Sequence, residues 1–131
     1  MSVRVTRVTD VPVVPSDVEG LEWHPVRHHL GIRAFGTNGY VGHRAGDLVI
    51  EAHDEDEHEE LYVVLTGAAR FVVDGEALDA PAGTLVLVTP PSQRVAHALE
   101  DDTTVLVVGG TPGQPFAVSE WEERWRKAAG A

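Results

Sequence analysis

Short apolar segments separated by turn residues repeat along most of the chain. Glycine, proline, aspartate or asparagine bounds most of these segments, and successive segments begin about ten residues apart. This spacing is typical of β-sandwiches and β-barrels rather than of β-α-β units, in which a helix follows each strand. The pattern predicts strands at Ile32–Phe35, Tyr40–His43, Leu48–Ala52, Leu61–Leu65, Ala69–Val73, Glu76–Leu78, Leu85–Thr89, Arg94–Leu99 and Thr104–Val108.

The N-terminal part of the chain departs from this pattern. A weak alternation of valine with arginine and threonine over Val3–Val8 predicts a short strand. The next stretch, Asp10–Val26, contains Pro12, Pro15 and Pro25, and proline removes a backbone donor and favours turns. We therefore expect an irregular arm that follows the surface.

One pair of strands carries a specific turn signal. Asp74 and Gly75 lie between the apolar segments that end at Val73 and begin at Glu76. A type I′ turn needs a positive φ angle at both central residues, and an Asp-Gly pair supplies it. We predict a β-hairpin at this position.

The pattern near the C-terminus is helical. Ser119 and Glu122 have the spacing of a capping box, and Trp121 and Trp125 lie one turn apart on the same helix face. We predict a short C-terminal helix over about residues 119 to 129, held on the sheet by its two tryptophans. Core packing explains this tryptophan pair more simply than a ligand or partner site does.

Size and charge narrow the function classes. The 131 residues suit one domain, residues 1 to 131, and the net charge of −11 argues against nucleic acid or an anionic membrane as a partner. The chain has no cysteine, so it has neither disulfides nor a thiolate zinc site. The first ten residues lack the apolar run of a signal peptide, and no apolar stretch is long enough to span a membrane. We therefore expect a cytoplasmic location.

The segment from Glu51 to Glu60 is the most unusual in the chain, since it holds seven of the 21 acidic residues and two of the seven histidines. Its ends continue into apolar segments, so its first and last residues are expected to lie on strands. Because side chains alternate between the faces of a strand, Glu51 and Glu55 should share a face with His53, and Glu60 should share a face with His58.

These residues resemble the motifs of the cupin superfamily. His53, Glu60 and Gly67 fall on its first motif, with six residues between Glu60 and Gly67. The second motif matches at its own spacing. The resemblance covers about residues 32 to 109 and implies an all-β, cupin-type jelly-roll β-barrel with the irregular N-terminal arm and the C-terminal helix attached. The glycine and proline positions that carry the second motif are Gly75, Pro81 and Gly83.

Cupins usually bind iron, manganese, nickel or zinc, but two of the four family ligand positions differ here. Glu55 replaces the second histidine of the first motif, and Arg94 stands where the later histidine is expected. Glu55 and Glu60 cannot both stay ionised in an apolar barrel without a neutralising group. Arg94 would supply it through a bidentate pair with Glu60, which gives a site without a metal.

The alternative is that a metal is retained. His53 and Glu60 would then bind it together with one of Glu55, His58 or His97, and the set of His53, His58 and Glu60 makes a two-histidine, one-carboxylate site. The remaining histidines are expected to be surface or structural residues; they are His24, His28, His29 and His43.

Three functions remain open. The first is a module that binds a small molecule inside the barrel, without a complete metal site. The second is a metal-dependent cupin enzyme of oxygenase, isomerase or epimerase type that uses His53, Glu60 and a third ligand. The third is a structural or regulatory dimer whose barrel is filled by side chains. We also expect a homodimer, since small cupins commonly pair and the Val3–Val8 strand, together with the proline-containing arm, offers an edge to a second copy. The ligand would contact His53, Glu55, Glu60, Tyr62, Phe71 and Arg94, beside an apolar face that includes Val64, Leu85 and Leu87.

Overall fold

The computed structural model describes residues 2 to 131, which form two antiparallel β-sheets with a shared core. The strand order is β1-β2-β9-β4-β7 in one sheet and β3-β8-β5-β6 in the other. This architecture confirms the predicted all-β jelly roll. The strands are β1 (Trp23–His24), β2 (Gly36–Gly42), β3 (Leu48–Glu55), β4 (Glu59–Thr66), β5 (Ala68–Val73), β6 (Glu76–Pro81), β7 (Leu85–Val88), β8 (Ser92–Ala98) and β9 (Thr103–Gly110).

The N-terminal third differs from the sequence prediction. Val3–Val8 is not a strand: Val3 and Val5 are exposed, and Val8–Asp10 forms a short 3-10 helix. The strand expected at Ile32–Phe35 is not formed, since β2 begins at Gly36. Strand β1 lies within the expected irregular arm, and a helix, α1 (Val26–Leu30), follows it. Pro25 misled that prediction because it stands at the N-cap of α1, where a missing backbone N–H breaks no helical bond.

The predicted hairpin is confirmed. Asp74 and Gly75 have φ angles of 48° and 82°, and they connect β5 to β6. The paired register continues from Val73 opposite Glu76 along both strands, so the tight turn fixes which side chains face the core.

The core lies between the sheets and follows the alternation of the strands. Tyr62 and Val64 of β4 are buried and meet Phe71 of β5, whose ring centroid lies 5.4 Å from that of Tyr62. The outer face was assigned wrongly on β7. Antiparallel partners share a face, and Tyr62 pairs with Val86, so Leu85 and Leu87 point outward and are exposed.

The C-terminal helix is confirmed as α2 (Glu120–Ala128), and its tryptophans bind it to the sheet. Trp121 and Trp125 each contact the buried Trp23 of β1 edge to face, with ring centroids 5.5 and 5.3 Å apart. The predicted capping box is wrong, since within residues 2–131 the Ser119 side chain makes no capping hydrogen bond. None of the helices in that range is long and apolar enough to span a membrane.

A buried ion pair takes the place of the capping box. Glu122 accepts hydrogen bonds from Nε and Nη2 of Arg27, at 3.0 and 2.7 Å, and both side chains are at least nine-tenths buried. Arg27 also donates to the carbonyl of Ile32. The pair therefore joins α2 to α1 at a distance of 95 residues in sequence.

Candidate functional site

A pocket of about 310 Å³ lies between the sheets where α2 covers them. Strands β2, β3, β4 and β9 supply its walls, and one side of α2 also lines it. The pocket combines aromatic rings with carboxylates and two histidines. Its polar and aromatic lining consists of Asp17, Asn38, Tyr40, Glu51, His53, Asp54, Glu55, His58, Glu60, Tyr62, Phe116, Ser119, Trp121, Arg124 and Trp125.

Glu60 is the centre of the hydrogen-bond network in this pocket. Its Oε1 atom accepts hydrogen bonds from Tyr62 at 3.0 Å and from Arg94 Nη1 at 2.7 Å, and it lies 3.4 Å from His53 Nε2. The facing position on β9 is Gly109, where a Cβ would lie 3.2 Å from Glu60 Cγ and 2.9 Å from the Glu59 carbonyl oxygen. Glycine therefore leaves the space that the Glu60 side chain occupies.

Ionised Glu60 and protonated His53 stabilise each other. Burial raises the pKa of Glu60, but the hydrogen bond from His53, the charges of His53 and Arg94 and the Tyr62 hydroxyl outweigh it, so the net shift is downward. Burial lowers the pKa of His53, yet its bonds to Glu60 and to the Glu51 carbonyl raise it overall. The Glu51 carbonyl can only accept, so His53 Nδ1 carries a proton and Nε2 faces Glu60.

Arg94 lies behind Glu60 and does not open onto the pocket. It pairs directly with His53 across β3 and β8, and its side chain is fully buried. Nη1 contacts Glu60 while Nη2 donates to the Ser92 hydroxyl, so the expected bidentate pair is replaced by a single contact. Among the described residues Arg94 Nε has no partner. Arg94 therefore influences the pocket through its contact with Glu60.

Three side chains can hold a metal ion. One ligand atom each from His53, Glu55 and Glu60 lies within 4.8 Å of the other two. His58 is not in this group within the described range, and its Nδ1 atom is bonded to the Thr111 hydroxyl at 2.9 Å. His97 is exposed on β8.

The other expected contacts divide between the pocket and the core. Tyr62 lines the pocket, and burial and the Glu60 charge raise the pKa of its hydroxyl well above the ordinary value. Phe71, in the range that the structure covers, packs behind Tyr62 and does not line the pocket.

Several lining residues were missed by the sequence analysis. Glu51 was expected on the face of His53 but not as a contact residue; it lines the pocket, and burial raises its pKa. Tyr40 lies on β2, where the sequence carries no chemical signal. Trp121 and Trp125 were interpreted as packing residues, and they both pack on Trp23 and line the pocket.

Comparison by sequence and by structure gives different results. No protein-family model and no curated protein match the chain. Solved structures do match it: a predicted oxalate decarboxylase from Thermotoga maritima has 16% identity and a TM-score of 0.65, covering 82% of this chain and 99% of that one. A cupin-superfamily sugar phosphate isomerase from Silicibacter pomeroyi has 20% identity and a TM-score of 0.66, over 83% and 77%.

A third similar structure is an RmlC-like cupin from Shewanella frigidimarina, with 14% identity and a TM-score of 0.60 over 86% of this chain and 95% of that one. At these identities the likeness shows the fold and leaves the activity open. The two antiparallel sheets with a shared core agree with it. This chain is therefore a small protein of the cupin fold.

Proposed function

We propose that the protein binds a small organic molecule in the pocket between the sheets, beside His53 and with Glu60 as a polar contact. The observation that carries this proposal is a cavity of about 310 Å³ with aromatic walls and a few converging polar groups. Such concave, partly apolar sites are typical of small-molecule binding.

The contacts within the site support a preformed binding surface. Tyr62, His53 and Arg94 hold Glu60 Oε1 in place. In the hydrogen bonds of residues 2–131, Glu60 Oε2 has no partner, so this oxygen is left for a ligand donor. A carboxylate fixed in this way loses little side-chain entropy when a ligand binds.

A substitution that fills the pocket should abolish binding. Val107 of β9 is 6% exposed and lines the pocket, while its neighbour Val108 points to the opposite face of the strand. In ligand-observed NMR with a set of polar fragments, Val107→Phe should weaken binding by at least about tenfold. Val108→Phe is the matched control and should bind as the parent does. Unchanged binding to Val107→Phe, or fragments that bind neither protein, would overturn the proposal.

A divalent metal ion is the second candidate ligand, because the resemblance to cupins implies one and His53, Glu55 and Glu60 are clustered. The donors fit such an ion: His53 donates from Nδ1 to the Glu51 carbonyl, an arrangement that orients metal-binding histidines. A bound ion would act as a Lewis acid toward an oxygen of the organic ligand. The guanidinium of Arg94, 2.7 Å from Glu60, opposes the ion's charge and lowers its affinity.

Removing that charge should strengthen metal binding. Arg94→His places an imidazole directly opposite His53 and removes the guanidinium. We expect the variant to bind zinc at least about tenfold more tightly than the parent in titration calorimetry near neutral pH. Gln93→His adds the same group at the neighbouring exposed position and should change nothing. Equal zinc affinity in Arg94→His and the parent would contradict this role of Arg94.

The homodimer and the cytoplasmic location stay predictions. The edge strand that we expected to pair with a second copy is not formed by residues 3 to 8. The outer face of β4 and β7 is a better surface for a second copy, since Leu65, Leu85 and Leu87 are exposed there by 43%, 63% and 57%.

A further inference from the structure

We propose that the ligand of this pocket is an organic cation, such as a protonated primary amine, bound between the carboxylate of Glu51 and the aromatic wall. This inference rests on the proposed function and adds the charge of the ligand. Three observations support it: carboxylates without cationic partners, oxygen atoms without hydrogen-bond partners, and aromatic side chains in the same pocket.

Carboxylates outnumber cationic groups in the pocket. Five of them line it, and two already have cationic partners: Glu60 contacts Arg94, and Asp17 lies 3.6 Å from Arg124. The others are Glu51, Asp54 and Glu55. A net charge of −11 on the whole chain adds a field that attracts cations to this pocket.

Glu51 is placed to meet such a cation. Its side chain lies on the inward face of β3 and is partly buried. In the part of the chain that the structure describes, its carboxylate accepts no hydrogen bond, whereas Glu55 Oε1 accepts two from the backbone N–H groups of Glu57 and His58. The carboxylate of Glu51 is thus free for a ligand donor.

Tyr40 gives an independent indication of a ligand. The residue is 7% exposed and lines the pocket, yet within residues 2–131 its hydroxyl has no hydrogen-bond partner. The hydroxyl is not among the fully buried unpaired atoms of these residues, so it opens onto the pocket, where a ligand can pair with it. A tyrosine hydroxyl can accept a hydrogen bond from an ammonium group.

The aromatic lining of the pocket suits a cation as well. Phe116 and Trp121 line the same pocket, and aromatic faces attract ammonium groups within about 6 Å of the ring. A neutral ligand would displace water from Glu51 without replacing its charge interactions, which is costly for a carboxylate. An anion would add repulsion from Glu51 and Glu55. Of the three kinds of ligand, a cation is the one that balances the negative charge of this pocket.

Three aromatic probes of similar size, one positive, one neutral and one negative, test the inference. Benzylammonium, benzyl alcohol and benzoate can be titrated into the full chain in the presence of a chelator, with tryptophan fluorescence as the readout because Trp121 and Trp125 line the pocket. We expect benzylammonium to bind at least about tenfold more tightly than benzyl alcohol, with no detectable binding of benzoate.

Variants that replace one carboxylate by an amide identify the residue that contacts the cation. Glu51→Gln should weaken benzylammonium binding about tenfold and leave benzyl alcohol unchanged. Glu76→Gln removes the same charge from the exposed hairpin and should change neither. If benzyl alcohol or benzoate binds as tightly as benzylammonium, or if Glu51→Gln binds all three as the parent does, the cation inference fails while the proposed function stands. Absence of binding by these probes and by every NMR fragment overturns both.

Discussion

Replacing Arg27 by methionine is expected to lower the free energy of unfolding by about 3–5 kcal/mol, because the substitution leaves the Glu122 carboxylate buried without a counter-charge. Three hydrogen bonds between the two side chains disappear, and so does the bond from Arg27 to the Ile32 carbonyl. Urea denaturation followed by tryptophan fluorescence measures the loss, since Glu122 lies on α2 beside Trp121.

Two further proteins separate lost charge from lost packing. The double variant Arg27→Met, Glu122→Leu removes both charges and should recover most of the stability, since an apolar pair of similar volume often replaces a buried ion pair without loss. Arg70→Met breaks the exposed pair with Asp79 and should leave the urea midpoint nearly unchanged. A double variant as unstable as Arg27→Met would mean that packing, not charge, explains the loss.

Strands β3 to β9 were predictable because each carries its own local signal. The hairpin at Asp74 and Gly75 needs only the turn residues, and β4 alternates clearly between Glu60, Tyr62 and Val64 inside and their neighbours outside. Strand β7 reads Leu-Val-Leu-Val and has no polar residue to mark its outer face. Its orientation is decided by its register with β4, which is a property of the sheet and not of the segment.

The helices show where local signals give way to tertiary contacts. Ser119 and Glu122 have the spacing of a capping box, but Glu122 is drawn instead to Arg27. The partner lies 95 residues away, so no sequence window contains both. Local spacing predicted that α2 exists, but the distant Arg27 determines that Glu122 in its first turn forms an ion pair instead of a cap.

The candidate site was predictable in its centre and not at its edges. His53, Glu60 and Arg94 were expected to meet because the cupin motifs place them together, and they do. Tyr40 and Trp121 line the pocket because β2 forms part of its wall and α2 packs beside it, whereas their own segments show ordinary core patterns. Phe71 lies on the inward face of its strand, as expected, but it packs behind Tyr62 and does not reach the pocket.

The site contains a second buried charge whose removal should be costly. Arg94→Met leaves Glu60 with hydrogen bonds from His53 and Tyr62 but without its closest fixed positive charge. We expect a loss of about 3 kcal/mol in the free energy of unfolding near neutral pH, the lower end of the range for a broken buried pair. Gln93→Met, at the neighbouring exposed position, is the control and should unfold as the parent does.

The pH dependence of that loss distinguishes charge from packing. The pKa of Glu60 is lowered in the folded parent, so its ionised form contributes stability above the unfolded value of 4.5, and this contribution disappears as the pH falls through the folded pKa. Without Arg94 the folded pKa of Glu60 rises, because burial is then opposed by fewer interactions.

A protonated Glu60 needs no counter-charge, so the stability difference between Arg94→Met and the parent should shrink as the pH is lowered below about 4.5. Urea denaturation across this range measures it. In a Glu60→Gln background, where this carboxylate no longer titrates, adding Arg94→Met should cost the same free energy of unfolding at every pH of this range. A deficit of Arg94→Met that does not change with pH would show that Arg94 stabilises the fold by packing, and its role in setting the charge of Glu60 would have to be abandoned.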